Sequence, residues 1–453
     1  MRIADLARLQ VAIWGLGREG HAAHTALRQR LPELPLTVFC SDAEAHFMAS
    51  DHANDRYVTH APTAADLSAF DIVIKSPGIS AYRPEMLEAQ RNGTRFTSAT
   101  ALWFAEHAHS RVIAVTGTKG KSTTSALIAH LLRGLGKRTA LAGNIGLPVL
   151  ELLDPPLEPD WWVIELSSFQ TREADRLQLA VITNIEEEHL DWHGSRERYV
   201  DDKLALASTA ETLLINPAQT ELCEYTAGHP RRRFFANAEG WHADAEFIMR
   251  GQQSIFDRSR LPLPGLHNAL NACAALAAIE AIGEDAVAAA ESLATFRALP
   301  HRLQTLGVRD GLTWIDDSIA TTPQATIEAL RSLHGKLVSV IVGGHDRGLD
   351  WHVFAEHVRQ HAPHAIIANG ANGKRIHALL DDSHGGQSHC VASLGEAVAL
   401  ARRQTPAGGT ILLSPGAPSF DQFHDYAERG RCFAELAGFD ADVIGQIEGL
   451  GIA

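Results

Sequence analysis

Paired cysteines are missing from this sequence. The five it has, Cys40, Cys223, Cys273, Cys390 and Cys432, are scattered without paired spacing. That excludes a disulfide framework or a cysteine zinc site and fits a reducing compartment. No uncharged apolar run approaches the ~20 residues that cross a bilayer, so membrane insertion is not expected. Near the start, Arg2, Asp5 and Arg8 interrupt any apolar block of the kind that directs secretion. Positive charge is in short supply too: a net charge of −14 argues against non-specific contact with nucleic acid or anionic lipid. It leaves room for a local basic pocket that takes phosphates. Short-period repeats and low-complexity tracts are also lacking. A cytoplasmic protein is expected. What the 453 residues do have is 45% hydrophobic content, enough to fill two or three globular cores.

The most informative stretch runs from Val112 to Thr124. Val112-Ile113-Ala114-Val115 reads as a buried strand, and Thr116-Gly117-Thr118-Lys119-Gly120 as a tight loop. From Ser122 to Leu135, the residues Leu127, Ile128, Leu131, Leu132 and Leu135 recur at helical spacing. Strand, glycine loop, Lys-Ser and helix make a phosphate cradle, because backbone N–H groups and the helix dipole both face an anion. Lys121 would reach the β/γ-phosphates and Ser122 would meet Mg²⁺. The usual glycine is replaced by Val115, and an ordinary strand-to-helix turn is the competing reading.

Toward the N-terminus, Val11-Ala12-Ile13-Trp14 leads into Gly15-Leu16-Gly17-Arg18-Glu19-Gly20, a G-x-G-x-x-G after a strand. Asp42 follows the next strand, Leu36 to Cys40, at the distance of a ribose-binding acid. The pattern points to a Rossmann-like fold and leaves open an NAD site, another nucleotide diphosphate, or a turn that merely packs helix on strand. A further strand, Asp71 to Lys75, runs into Ser76-Pro77-Gly78-Ile79, at the edge where open α/β sheets bind ligands.

Trp161 to Ile164 reads as a strand ending at Glu165, and a carboxylate there suits Mg²⁺. After the strand Ala180 to Thr183 comes Glu186-Glu187-Glu188-His189. One of 24 histidines, His189 is raised above a surface residue only by following a strand. Lys203, by pattern alone, is an exposed lysine. Gly265-Leu266-His267-Asn268 opens an Ala-rich helix that Gly283 stops, with Asn268 and Asn271 on one face. In the last third, strands at Val338 to Val342, Ala365 to Ala368 and Thr410 to Leu413 alternate with helices. The loops Asp316 to Pro323, Gly343 to Gly348 and Leu413 to Phe420 all follow strands and should gather at one sheet edge.

Taken together, Thr116 to Ser122, Glu165-Leu166-Ser167-Ser168-Phe169-Gln170, Leu266-His267-Asn268-Ala269-Leu270-Asn271, Pro300-His301-Arg302 and Asp317-Ser318 resemble the Mur ligases. The resemblance covers nearly the whole chain in order, and the Glu-Leu-Ser-Ser-Phe-Gln and Ser-Pro-Gly-Ile motifs are similar to the glutamate-adding branch. It implies an α/β chain of three domains. Residues 1–98 would be a Rossmann-like domain for the UDP-sugar, 99–303 a central parallel sheet of the P-loop ATPase type, and 304–453 a Rossmann-like domain for glutamate. It implies ATP-driven coupling of glutamate to UDP-N-acetylmuramoyl-L-alanine, with Mg²⁺, by a monomer.

The implied ATP site is Gly117, Thr118, Lys119, Gly120, Lys121, Ser122, Thr123, Asn268, Arg302 and Asp317. Catalysis and metal would fall to Lys121, Ser122, Glu165, His189 and Lys203, the last matching a family lysine that is carbamylated. The UDP-substrate would meet Gly15, Leu16, Gly17, Asp42, Ser76, Pro77, Gly78, Asn144 and Ser167. Glutamate would meet Ile319, Thr321, Thr322, Arg347, Ser419 and Phe420. Members that add D-glutamate carry a lysine where this chain has Ile319, and another where it has Arg347. The Ser-Ile-x-Thr-Thr-Pro loop is similar to a subgroup that adds L-glutamate, with D-glutamate the alternative. Two other readings stay open: a Rossmann oxidoreductase using NAD, and a ligase of the folylpolyglutamate type.

Overall fold

The computed structural model describes residues 1–48, 54–186, 190–381 and 387–453, and its chain gathers into two compact units. One comprises Met1–Arg260, Leu270–Leu293 and Gly449–Ala453, the other Leu261–Ala269 and Ala294–Glu448.

The first unit opens with strands β1 (Val11–Trp14), β2 (Leu36–Phe39), β3 (Asp55–Val58), β4 (Ile72–Lys75) and β5 (Arg95–Thr97). They pair in parallel in the order β3-β2-β1-β4-β5, so the strand order reverses between β1 and β4. The β1 and β4 residues are buried at every position, as expected for parallel strands covered on both faces. A second parallel set follows: β6 (Val112–Thr116), β7 (Thr139–Gly143), β8 (Trp161–Glu165), β9 (Leu177–Ile182), β10 (Ala210–Ile215) and β11 (Arg232–Phe234). Its order, β11-β10-β9-β6-β8-β7, puts β6 inside the sheet, flanked by β9 and β8. A small antiparallel sheet, β12 (Trp241–Ala243), β13 (Phe247–Arg250) and β14 (Gln253–Asp257), completes the run.

The helix Ala99–Glu106 links the two parallel sheets. Ser98 caps it, accepting from the Ala101 N–H at 3.1 Å. Its Trp103 is wholly buried, with its ring 4.7 Å from that of Trp162 on β8, also wholly buried. Truncating either indole to alanine would cost about 3–5 kcal/mol.

In the second unit, β15 (Gln304–Arg309), β16 (Leu312–Asp316), β17 (Val338–Val342), β18 (Ala365–Ala368), β19 (Gln387–Cys390) and β20 (Thr410–Leu413) form one sheet. The order is β15-β16-β20-β17-β18-β19, parallel except for β15. Alternate residues fill opposite faces. Val340 and Ile366 pack toward Trp351 and Phe354, while Ile341 and Ile367 pack toward Trp314 and Phe433. The end of the chain departs from the expected 304–453 unit: β21 (Gly451–Ile452) pairs antiparallel with β7 in the first unit.

Candidate active site

The phosphate loop leaves the carboxyl end of β6. Gly117 has φ +147°, and a Cβ there would lie 1.9 Å from Thr183 Oγ1; Gly120 has φ +81°, and a Cβ there would lie 2.5 Å from Asn271 Oδ1. Both positions therefore need glycine. Asn184, just past β9, organises the loop: its Oδ1 accepts from the N–H groups of Thr118 (3.2 Å) and Lys119 (2.8 Å). Thr183 Oγ1 donates to the Lys119 carbonyl at 2.6 Å, and Thr118 Oγ1 lies 2.6 Å from the Tyr199 hydroxyl. The helix that follows is Lys121–Gly134, buried along Leu127, Ile128, Leu131 and Leu132. Its amino end carries Lys121, buried Ser122 and half-buried Thr123, and a helix amino end favours an anion. Lys121 Nζ donates to the Thr118 carbonyl at 2.9 Å, folded over the loop it would serve.

Beside this loop stands Glu165, brought there by register, since Val115 on β6 pairs with Glu165 on β8. The carboxylate is 1% exposed. Its Oε1 accepts from Asn144 Nδ2 at 2.8 Å, and its Oε2 is buried with no hydrogen-bond partner among the described residues. A buried carboxylate oxygen without a donor among the described residues, on the strand beside the one that leads into the glycine loop, fits Mg²⁺, which takes few protein ligands alongside phosphates and water. His189 lies outside the described residues. Lys203, on the helix Arg196–Ser208, is not the exposed lysine that pattern alone suggested: it is 2% exposed. Its Nζ donates to the Gly117 carbonyl at 2.8 Å and lies 4.9 Å from the Tyr199 ring centroid.

At the carboxyl edge of the first sheet, where its strand order reverses, lies a cavity of about 250 Å³. Gly15, Leu16, Gly17 and Ser76 line it, and open α/β sheets bind ligands at such a reversal of strand order. Gly15 has φ +87°, and a Cβ on Gly20 would meet the Gly15 carbonyl at 2.0 Å, so the third glycine sets the close approach of helix to strand. Asp42 does not line this cavity and is exposed; Glu44 does line it, accepting from the Ser41 N–H and hydroxyl at 2.8 and 2.7 Å. The Pro77 carbonyl accepts from the Trp192 indole at 3.0 Å, and Gly78 has open space around it. Asn144 sits with Glu165, while the Ser167 hydroxyl donates to Gln170 Oε1 at 2.8 Å.

In the second unit the three polar loops do meet at one edge. Asp317 donates its N–H to Leu413 (2.8 Å), Gly343 to Pro415 (2.7 Å) and His345 to Pro418 (2.8 Å). Asp317 accepts from the Ser414 hydroxyl at 2.8 Å and the Leu303 N–H at 3.1 Å. Burial nonetheless pushes its carboxyl up to about 7, with Asp316 adding to the rise and Arg302 opposing it. Arg302 is flanked by His301 (φ +62°) and Leu303 (φ +47°), both left-handed. Such conformations cost about 1–3 kcal/mol each and gather where geometry is imposed on a site.

Ile319 and Thr321 are half-buried on this edge. The Thr322 hydroxyl is engaged in capping the helix Pro323–Ser332, accepting from the Ala325 N–H at 3.4 Å. The Arg347 guanidinium lies 5.6 Å from the exposed Phe420 ring, and Ser419 is buried. Asn268 donates to the Pro264 carbonyl at 2.7 Å. Motif reading missed Arg429, 3% exposed, which donates to the Ser318 hydroxyl (3.0 Å), the Ser318 carbonyl (2.8 Å) and the Ala417 carbonyl (3.0 Å). Burial without a directly paired carboxylate lowers its pKa to about 10.

Residues 115–279 match the family model for the Mur ligase middle domain, and residues 301–416 the model for the Mur ligase glutamate ligase domain. The chain is 51% identical to the UDP-N-acetylmuramoyl-L-alanine--L-glutamate ligase of Xanthomonas campestris pv. campestris strain 8004, over 100% of both chains. Among solved structures it is similar to the UDP-N-acetylmuramate-alanine ligase of Thermotoga maritima (TM-score 0.62, 21% identity, covering 94% of this chain and 99% of that one). It is also similar to the MurF ligase of Thermotoga maritima in complex with ADP (TM-score 0.58, 15% identity, covering 96% and 94%).

Proposed function

The chain belongs to the Mur ligase family, and on that premise we propose that it couples L-glutamate to UDP-N-acetylmuramoyl-L-alanine, converting ATP to ADP and phosphate. The observation that carries the reading is full-length identity of 51% to an enzyme named for that reaction. Family membership sets aside the NAD-dependent oxidoreductase. The G-x-G-x-x-G cavity serves in our reading as the UDP site, in a first domain of residues 1–98, ahead of a central domain of 99–303 and a glutamate domain of 304–453.

A carboxylate and an amine do not condense unaided. ATP first phosphorylates the alanyl carboxylate, the glutamate amine attacks the acyl phosphate carbon, and phosphate leaves from the tetrahedral intermediate. In this chain Lys121 and the loop N–H groups would neutralise charge on the transferring phosphoryl group. Ser122 and Glu165 would hold one Mg²⁺ and His189 a second, with a carbamylated Lys203 able to approach a metal, and this charge would screen the phosphates. Carbamylation would make Lys203 an anion, and its burial beside the Gly117 carbonyl supports a role at the phosphate loop. Asn268, Arg302 and Asp317 would complete the ATP site. Ile319, Thr321, Arg347, Ser419 and Phe420 would hold glutamate, supported by their gathering at one sheet edge. Thr322 would act there by its backbone, since its hydroxyl caps a helix.

No described helix is long and apolar enough to cross a membrane. We take the enzyme to act in the cytoplasm as a monomer. The test is phosphate release by the purified protein with ATP, Mg²⁺, UDP-N-acetylmuramoyl-L-alanine and glutamate. Release that depends on both substrates, with a new amide product, supports the reading; substrate-independent hydrolysis or no turnover refutes it.

A further inference from the structure

His193 and Asp202 belong to no motif, yet with Ser168 they form a buried chain of hydrogen bonds. Ser168 Oγ lies 3.0 Å from His193 Nε2, and His193 Nδ1 lies 2.7 Å from Asp202 Oδ2. The three are 5%, 0% and 2% exposed. The Asp202 carboxylate, which also takes the Arg172 guanidinium, accepts from Nδ1–H, and Nε2 then accepts from the serine hydroxyl. Ser, His and Asp in this arrangement could activate a nucleophile, but the serine is buried with its hydroxyl inside the chain, which leaves a structural task.

What Asp202 gathers defines that task. The Tyr82 hydroxyl, from the loop after β4, lies 2.9 and 3.0 Å from its two oxygens. Arg172 Nε donates to the same carboxylate, and the Thr171 hydroxyl donates to the Asp202 carbonyl at 2.6 Å. Ser168 stands three residues beyond Glu165 and next to Ser167. Lys203, the residue after Asp202, bonds the phosphate loop. A buried charged network is seldom kept for stability alone, because apolar packing of equal volume serves as well; fixing a unique arrangement is its better-attested use.

We infer that Asp202 is a positioning residue for the ligation. Through His193 and Ser168 it fixes the loop that follows Glu165, and through its helix it aims Lys203 at the phosphate loop. The inference rests on the ligase reading above, with Lys203 as the carbamylated group.

The test is ¹³C NMR of full-length protein in [¹³C]bicarbonate, with the carbamate signal counted per ADP-binding site measured by calorimetry. Counting per competent site removes any loss that is simply unfolded protein. Asp202→Asn and His193→Ala are expected to lower carbamate per site and kcat by about tenfold or more, the range seen when a ligand's supporting partner is removed. His193→Asn, whose amide can replace the Nδ1–H, is expected to restore at least half of the signal. Wild-type carbamate per site in Asp202→Asn and His193→Ala, or equal loss in both His193 variants, would overturn the inference alone. A wild-type protein with no carbamate would overturn the Lys203 reading and this inference with it. Should Asp202→Asn not fold, the His193 pair decides.

Discussion

Asn144 donates its side-chain amide to Oε1 of Glu165 at 2.8 Å, while Oε2 of the same carboxylate is buried with no partner among the described residues. One oxygen is thereby aimed, and in the proposed function the other would meet a cation. Removing the donor in Asn144→Ala should raise the Mg²⁺ concentration for half-maximal activity by about 10- to 100-fold. Glu165→Gln should raise it at least as far, because the ligand charge itself is lost. Mn²⁺ binding by electron paramagnetic resonance, with a non-hydrolysable ATP analogue present, checks both without turnover. Unchanged affinity in both variants would remove Glu165 from the metal site.

The Lys121 ammonium donates to the Thr118 carbonyl at 2.9 Å, on the loop that would cradle phosphate. Lys121→Ala should therefore lower kcat for ligation by at least about 1000-fold, the scale of phosphoryl-charge stabilisation. UDP-substrate affinity should stay within about threefold, since one local charge-assisted contact in the other cradle is all that changes. Calorimetric titration with the UDP-substrate separates the two effects. Substantial amide formation by the folded variant would refute the phosphate-loop role.

Glu19 gives a pH prediction. Burial, reinforced by Glu151, pushes its carboxyl up to about 7 against the pull of the Gln170 amide, and its Oε2 is buried without a partner. The folded-state value is raised above the ordinary 4.5, so the folded chain holds the proton more tightly than the unfolded one. Its contribution to stability is complete below the unfolded value and is lost as pH rises through 7. Glu19→Gln removes the titration. It should unfold at the same temperature as the wild type at pH near 5 and several degrees higher at pH near 8, a gain on the order of 2 kcal/mol. Equal differences at both pH values would refute it.

The legible parts of this molecule are those in which a contiguous stretch carries its own geometry. Gly117 and Gly120 with Lys121 and Ser122, and Gly15 with Gly20, spell their backbone turns in sequence, and the structure uses them so. The strands around Val338, Ala365 and Thr410 were legible because burial on both faces leaves uninterrupted apolar runs. Lys203 was misjudged by pattern because its burial is decided by Gly117 and Tyr199, distant in sequence. Arg429, bonded across 111 positions to Ser318, and the Ser168–His193–Asp202 chain are tertiary in the same sense. Asp42 stays outside the cavity lining because the helix Asp42–Met48 begins there and turns Glu44 to the cavity.

The glutamate pocket supplies the last prediction. Enantiomers carry the same groups, so a pocket separates them only by where the amine falls once both carboxylates are held. That amine must come within about 3–3.5 Å of the acyl phosphate carbon. Ile319 offers neither charge nor hydrogen bond, and it is half-buried at the edge where the Asp317, His345 and Ser414 loops meet. Cations at this edge are Arg347, 5.6 Å from the Phe420 ring centroid, and Arg429, which donates to the Ala417 carbonyl; Arg347 would help hold the carboxylates in the proposed function. A charge-assisted contact is worth about 1.5–3 kcal/mol. Installing one by Ile319→Lys should narrow the L-to-D ratio of kcat/KM by roughly 10- to 150-fold. The wild type should prefer L-glutamate clearly. Competition of the two enantiomers, followed by chiral resolution of the glutamate in the product, measures both ratios. A wild-type excess of the D product would refute the assignment of L-glutamate, and an unchanged ratio in Ile319→Lys would free position 319 from the selection.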